Sequence, residues 1–159
     1  MKTFGLFAAF AAAAAFSPAF ADVYGDFASY DAGGDNAWFF ELSALAQKKG
    51  SAAQVRENLA RAMSSNSVSD TAFRDACLIL KPIADSDTIP VLAPALKNPA
   101  RVSSACNVLM GLGSGGFDAL KSALESVSDN HCRETIISTM ASFGGSDAAE
   151  AIAPFALSD

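Results

Sequence analysis

Residues 100–113 read ARVSSACNVLMGLG, and the stretch has two counterparts in the same chain, DTAFRDACLILKPIA at 70–84 and NHCRETIISTMASFG at 130–144. Registered on Leu80, Leu109 and Met140, they bring Ala76, Ala105 and Ile136 into one column and Cys77, Cys106 and Ile137 into the next. Phe73, Val102 and Arg133 form a third column, and Ala84, Gly113 and Gly144 close each stretch. Successive units lie 29 and 31 residues apart. Apolar positions fall at i, i+3, i+4 and i+7. That is the period of a helix with one buried stripe, not the alternation of a strand.

A shorter helical stretch follows each long one: 88–97, 116–126 and 148–157. Upstream, 51–63 fits the short slot and 37–49 the first long one. The boundary residues agree. Gly50, Gly113 and Gly144 stand where a helix ends on a left-handed residue. Asn98-Pro99 reads as an N-cap followed by Pro at the first helical position. Ser51-x-x-Gln54 and Asp147-x-x-Glu150 read as capping boxes. Pro82 kinks or ends its helix. Eight helices joined by short turns, with a repeat near thirty residues, predict an all-α chain. The expected architecture is an α-solenoid of about four stacked helical hairpins, because one hairpin cannot bury its apolar side alone.

The pattern of an apolar helix, a polar turn and then [VR]-x-x-A-x-x-x-L-x-x-[LF]-G resembles HEAT-like repeats. The resemblance includes the short form found in phycobilisome-lyase-type proteins. The resemblance covers about 50–157 and, more weakly, 37–49. Val102-Ser-Ser-Ala105 through Leu109 to Leu112-Gly113 carries it best, and Asp129 with Arg133 matches the Asp and Arg that such repeats place around the intra-repeat turn. Arg74 and Arg101 fall one residue out of that register, and Asn98-Pro99 replaces the Asp. The resemblance implies a superhelix whose second helices line a binding surface.

Outward from the repeats, residues 1–21 have a different character. Lys2 precedes an uncharged apolar run from Phe4 to Phe16, Ser17-Pro18 breaks it, and Ala19-Phe20-Ala21 is a small-x-small cleavage site. These are the parts of a secretory signal peptide, cut after Ala21, which predicts a periplasmic or secreted protein. The run falls short of the ~20 residues that span a bilayer. The domain plan is therefore a leader at 1–21, an aromatic and acidic extension at 22–36, and a HEAT-like domain at 37–159.

Composition sets outer limits. With 11 Lys+Arg against 17 Asp+Glu in 159 residues, the chain lacks the basic surface that neutralises phosphates, so nucleic acid is not an expected partner. At 51% hydrophobic it is too apolar to be disordered, and three cysteines are too few for a disulfide scaffold.

Few residues suggest chemistry. Cys77 and Cys106 share a slot on helices expected about 8–10 Å apart. Two readings stay open: a disulfide between them, which needs alpha carbons near 5.5–6 Å, or two small core residues, since Ile137 fills the slot next. Cys132 opens a helix beside His131, the only histidine. A helix N-terminus lowers a thiol pKa and a His can act as base, but adjacent helical residues diverge by about 100°. One histidine rules out a two-histidine metal site. Gly111-Leu-Gly-Ser-Gly-Gly116 follows a helix rather than a strand, so it reads as a turn, not a phosphate loop. Asp26, Asp31 and Asp35 lack calcium-loop spacing. No catalytic set, metal or cofactor is implied.

Two surfaces remain as binding candidates. Tyr30, Trp38 and Phe39 belong to an aromatic cluster that either covers the open end of the first repeat or docks a partner. The outward face of the long helices carries Arg74, Lys81, Asn107 and Ser138, with Leu78, Ser103 and Glu134 beside them. The expected function is an exported, non-catalytic repeat scaffold that binds a protein. The alternatives are a lyase-like enzyme or cofactor-handling protein using Cys132 and His131, or a structural module of an envelope assembly.

Overall fold

The computed structural model describes residues 18–65 and 67–156, with side chains from Val23 to Phe155; most of the expected leader lies outside the described residues. The described chain is helical without strands. Its helices are α1 (Pro18–Ser29), α2 (Ala37–Gln47), α3 (Ala52–Met63), α4 (Asp70–Leu80), α5 (Ile89–Leu92), α6 (Val102–Met110), α7 (Gly113–Leu124), α8 (Asn130–Ala141) and α9 (Gly145–Ala156).

Two of the aligned columns are buried throughout, Ala76, Ala105 and Ile136 in one and Leu80, Leu109 and Met140 in the other, while Arg133 and Ile137 leave the other two half-buried at α8. The stripe of each long helix therefore seats it against its equivalents: α2 packs on α4, α4 on α6, and α6 on α8. A second row runs from α3 through the 86–97 segment to α7, with α9 packed on α8.

Four local features depart from the sequence reading. The short stretch 88–97 is not one helix. A 3-10 turn (Ser86–Thr88), α5 and a second 3-10 turn (Ala93–Lys97) share it. Pro90 and Pro94 cause this: Pro94 has no N–H for the carbonyl four residues back, and its ring crowds that carbonyl. The capping residues also differ. Ser51 makes no cap bond, and Asn98 accepts from Ala100 N at 2.9 Å in a turn that ends before α6 begins. Asp147 lies within α9, because Gly144 and Gly145, both at positive φ, start that helix earlier. The side chains that do cap helices are Ser69 on α4 and Asp129 on α8. Asp85 forms a capping box with Thr88.

The third departure is α1, which runs across the 21/22 boundary and packs on α2 and α3. Val23 and Phe27 enter the core, so the first part of the aromatic and acidic extension is packed helix. The fourth is Arg101. Its Nη2 donates to the Val68 carbonyl at 2.6 Å and its Nε to Asp70, while the guanidinium lies 4.9 Å from the Phe73 ring centroid. One side chain thus clasps the turn before α6 to the turn before α4. Arg56 does the same between α3 and the 83–85 turn, with Nη2 2.7 Å from Asp85 Oδ2.

Candidate interaction face

The buried stripes decide which side of α4, α6 and α8 faces out. Two residues along a helix turn the direction by about 200°. Positions two before Leu80, Leu109 and Met140 therefore point away from the core. These are Leu78, Asn107 and Ser138, and all three are exposed. Arg74, Ser103 and Glu134 are exposed one turn earlier, and Lys81, Met110 and Ala141 one turn later. Three packed helices thus present equivalent positions side by side.

This face is mostly polar, with apolar residues standing clear of the core. Leu78 is 59% exposed and Met110 is exposed on the neighbouring helix. Phe40, on α2 next in the row, is 64% exposed. Arg74 Nε lies 3.2 Å from Asp75 Oδ1. Lys81 follows the C-terminus of α4, where a cation complements the helix dipole. Of the face residues expected from the sequence, Arg74, Lys81, Asn107 and Ser138 are brought together here.

The aromatic residues go elsewhere. Trp38 is 2% exposed. Its ring meets Phe27 at 5.0 Å, Tyr30 at 5.3 Å and Phe39 at 5.9 Å, each edge-on. Trp38 is a core residue holding α1 to α2 and offers no surface to a partner. Tyr30 and Phe39 are half-buried against the core. Phe40 is the aromatic left outside, and the stripe Trp38–Leu42–Ala46 contains the signal that finds it: position 40 lies opposite that stripe.

The three cysteines are free, buried thiols. Burial pushes Cys77 up to about 12. Cys106 is raised by burial, partly offset by the Thr139 hydroxyl. Cys132 is pushed up to about 11, first by burial and then by the Asp129 carboxylate beside it. The helix N-terminus does not activate this thiol, because Asp129 already caps it. Asp129 Oδ1 accepts from Cys132 N at 2.9 Å, and that bond holds the carboxyl below the usual carboxylate range. His131, next in sequence, is exposed while Cys132 is not.

The glycine-rich stretch is a two-residue turn, Gly111–Leu112, followed by the first turn of α7. Gly116 is buried there against the Leu109 carbonyl. Among the described residues, no group of three or more His, Cys, Asp or Glu is placed to hold a metal ion. No described helix is long and apolar enough to cross a membrane. An open cleft of about 630 Å³ lies between the 89–97 segment and α7, lined by Ile89, Pro90, Pro94, Lys97, Ala119 and Ser122 among others. Compared with known proteins, the chain matches no family model, no curated protein and no solved structure.

Proposed function

We propose that this chain is an exported HEAT-like α-solenoid scaffold that binds another protein through the outward face of α4, α6 and α8. One observation carries the reading. Leu78 stands exposed on the outward side of α4, with Met110 and Phe40 exposed on the two helices packed against it, α6 and α2. Exposed large apolar residues grouped on a repeated surface mark interaction sites more often than isolated ones do. Repeat arrays use such extended faces for binding. The leader composition at 1–21 supports export, and a cut after Ala21 would leave Val23 and Phe27 on the retained side.

A photo-crosslinking residue placed at Leu78 tests the binding face, with Ser122 on α7 as an exposed control. In native extract the Leu78 probe yields one dominant adduct that Ser122 does not give. Leu78→Glu abolishes its capture by the unlabelled chain without changing helicity. Equal labelling at both positions, or capture unaffected by Leu78→Glu, sinks the reading. Against the thiol-enzyme alternative stand a buried, protonated Cys132 and an outward His131. Against a purely structural module stands the uncovered apolar surface. A chain that runs at one fixed large assembly size in native extract, irrespective of Leu78, would favour the module instead.

A further inference from the structure

A cavity of about 270 Å³ lies where the end of α3, helix α4, the 90–95 segment and the turn before α6 meet. Its apolar lining is Met63, Phe73, Pro90, Val91 and Pro94, of which Phe73 is the most deeply buried. Ligand pockets usually run from about 300 to 1,000 Å³, so this one sets a small guest. Its polar lining comes mainly from one turn. Arg101 N donates to the Asn98 carbonyl at 3.0 Å, and both side chains border the cavity. No residue of the outward face of α4, α6 and α8 borders it.

Both side chains are held by bonds to groups outside the cavity. Arg101 spends Nε on Asp70 and one Nη2 hydrogen on the Val68 carbonyl, along one edge of the guanidinium. Nη1 and the second Nη2 hydrogen are left, and they form the other edge of the fork. The guanidinium lies 4.9 Å from the Phe73 ring centroid with its side chain 21% exposed, so water screens it weakly. Asn98 Oδ1 accepts from Ala100 N at 2.9 Å, which orients the side-chain amide and leaves both Nδ2 hydrogens. Among the described residues that line the cavity there is no carboxylate. Spare charged donors beside apolar walls suit an anion that carries an apolar group. We propose that this cavity binds a small carboxylate with a short apolar substituent, the carboxylate on Arg101 and Asn98 and the apolar group against Phe73, Pro90 and Val91. Such a group ends a peptide whose last residue is leucine, and it is also a branched short-chain acid. Ser64 bears on the choice. Its Oγ gives its hydrogen to the Ala60 carbonyl at 3.0 Å, so toward the cavity it only accepts. A ligand N–H fits that acceptor, and a peptide terminus has one where a plain acid has none.

The test titrates the isotope-labelled chain with N-acetyl-leucine, its C-terminal amide, 4-methylpentanoate and acetate, read by NMR shifts at Asn98 and Arg101. N-acetyl-leucine is expected to saturate with a Kd of about 1 mM or tighter. Its amide, which lacks the charge, binds about ten- to a hundredfold more weakly, and acetate, which lacks the apolar group, does not saturate. N-acetyl-leucine binding ahead of 4-methylpentanoate assigns a chain terminus; the reverse order assigns a free acid, and either supports a carboxylate site. Asn98→Asp keeps the acceptor for Ala100 N and sets a carboxylate oxygen where the Nδ2 hydrogens were. It should weaken both acids about tenfold and narrow their lead over the amide. Should that variant disturb the turn, Val91→Trp is the second probe: it fills the cavity from a half-buried position and abolishes binding. Equal affinity for acid and amide, acid binding untouched by both variants, or no saturable shift up to about 20 mM acid overturns the proposal and leaves the reading of the outward face as it stands.

Discussion

Single residues carry much of the specificity of this fold, and Gly116 shows how. A β-carbon there would sit 1.8 Å from the Leu109 carbonyl oxygen and 2.7 Å from its carbon, both backbone atoms that cannot rotate away. Gly116→Ala must therefore part α6 from α7. It is expected to cost about 3 kcal/mol or more despite the better helix propensity, seen as a thermal midpoint lowered by roughly 10 °C. Gly25 is the opposite case. Nothing lies within 4 Å of the β-carbon it lacks, so Gly25→Ala should stabilise by about 0.5–1 kcal/mol. If the two variants melt alike, the close approach of α6 and α7 is wrong.

The buried thiols make a second residue-scale prediction. Cys77 and Cys132 stay protonated in the fold to about 12 and about 11, whereas an unfolded thiol ionises near 8.5. Above that value the unfolded state releases protons that the native state retains, so the stability that burial of the neutral thiols contributes is present in full below about pH 8.5 and is lost as pH rises toward 11–12. Urea midpoints should thus fall between about pH 9 and 11, less steeply in a Cys77→Ala, Cys132→Ala double variant. At pH 8 the native chain should resist iodoacetamide and the unfolded chain should take three labels, one for each cysteine. Rapid native labelling of Cys132 would revive the thiol-enzyme alternative.

At the scale of elements, helix existence and helix ends have different origins. The long helices follow from their stripes, and α4 ends at Leu80, two residues ahead of Pro82, which has no N–H to offer the Leu78 carbonyl. Caps depend on where the first turn lands. Ser69 is the best placed: its Oγ accepts from Ala72 N at 3.0 Å and donates to the Tyr30 carbonyl at 2.7 Å. It starts α4 and ties the end of α1 to it. Ser69→Ala should cost about 1–2 kcal/mol, a drop of roughly 3–8 °C in the thermal midpoint, while Ser69→Thr should retain most of the stability. An Ala variant as stable as the parent would mean that neither bond matters. Nothing local to Ser69 distinguishes it from Ser51, which caps nothing.

Across the whole molecule, stability should grade from the middle outward. Helix α6 is packed on α4, α7, α8 and the 93–97 turn, whereas α9 has α8 as its main neighbour and a mostly half-exposed apolar side. Native-state hydrogen exchange should therefore find the slowest amides in α4 and α6 and the fastest helical ones in α9. Uniform protection from α2 to α9 would count against the proposed solenoid, in which each helix depends on its neighbours. The same arrangement places the candidate face, since only the row α2–α4–α6–α8 lays Phe40, Leu78 and Met110 on adjacent helices.

The sequence by itself determined the long helices, their stripes and therefore the outward set of Arg74, Leu78, Asn107 and Ser138. Those follow from a period of 3.6 residues, a property local to each segment. Tertiary structure alone decided the rest. It drew Val23 and Phe27 into the core, gave Arg101 its partners some thirty residues away, and kept the thiols protonated. Each of these depends on which segments meet in space, and burial and charge at a contact belong to both sides of it, while a single stretch of sequence describes one.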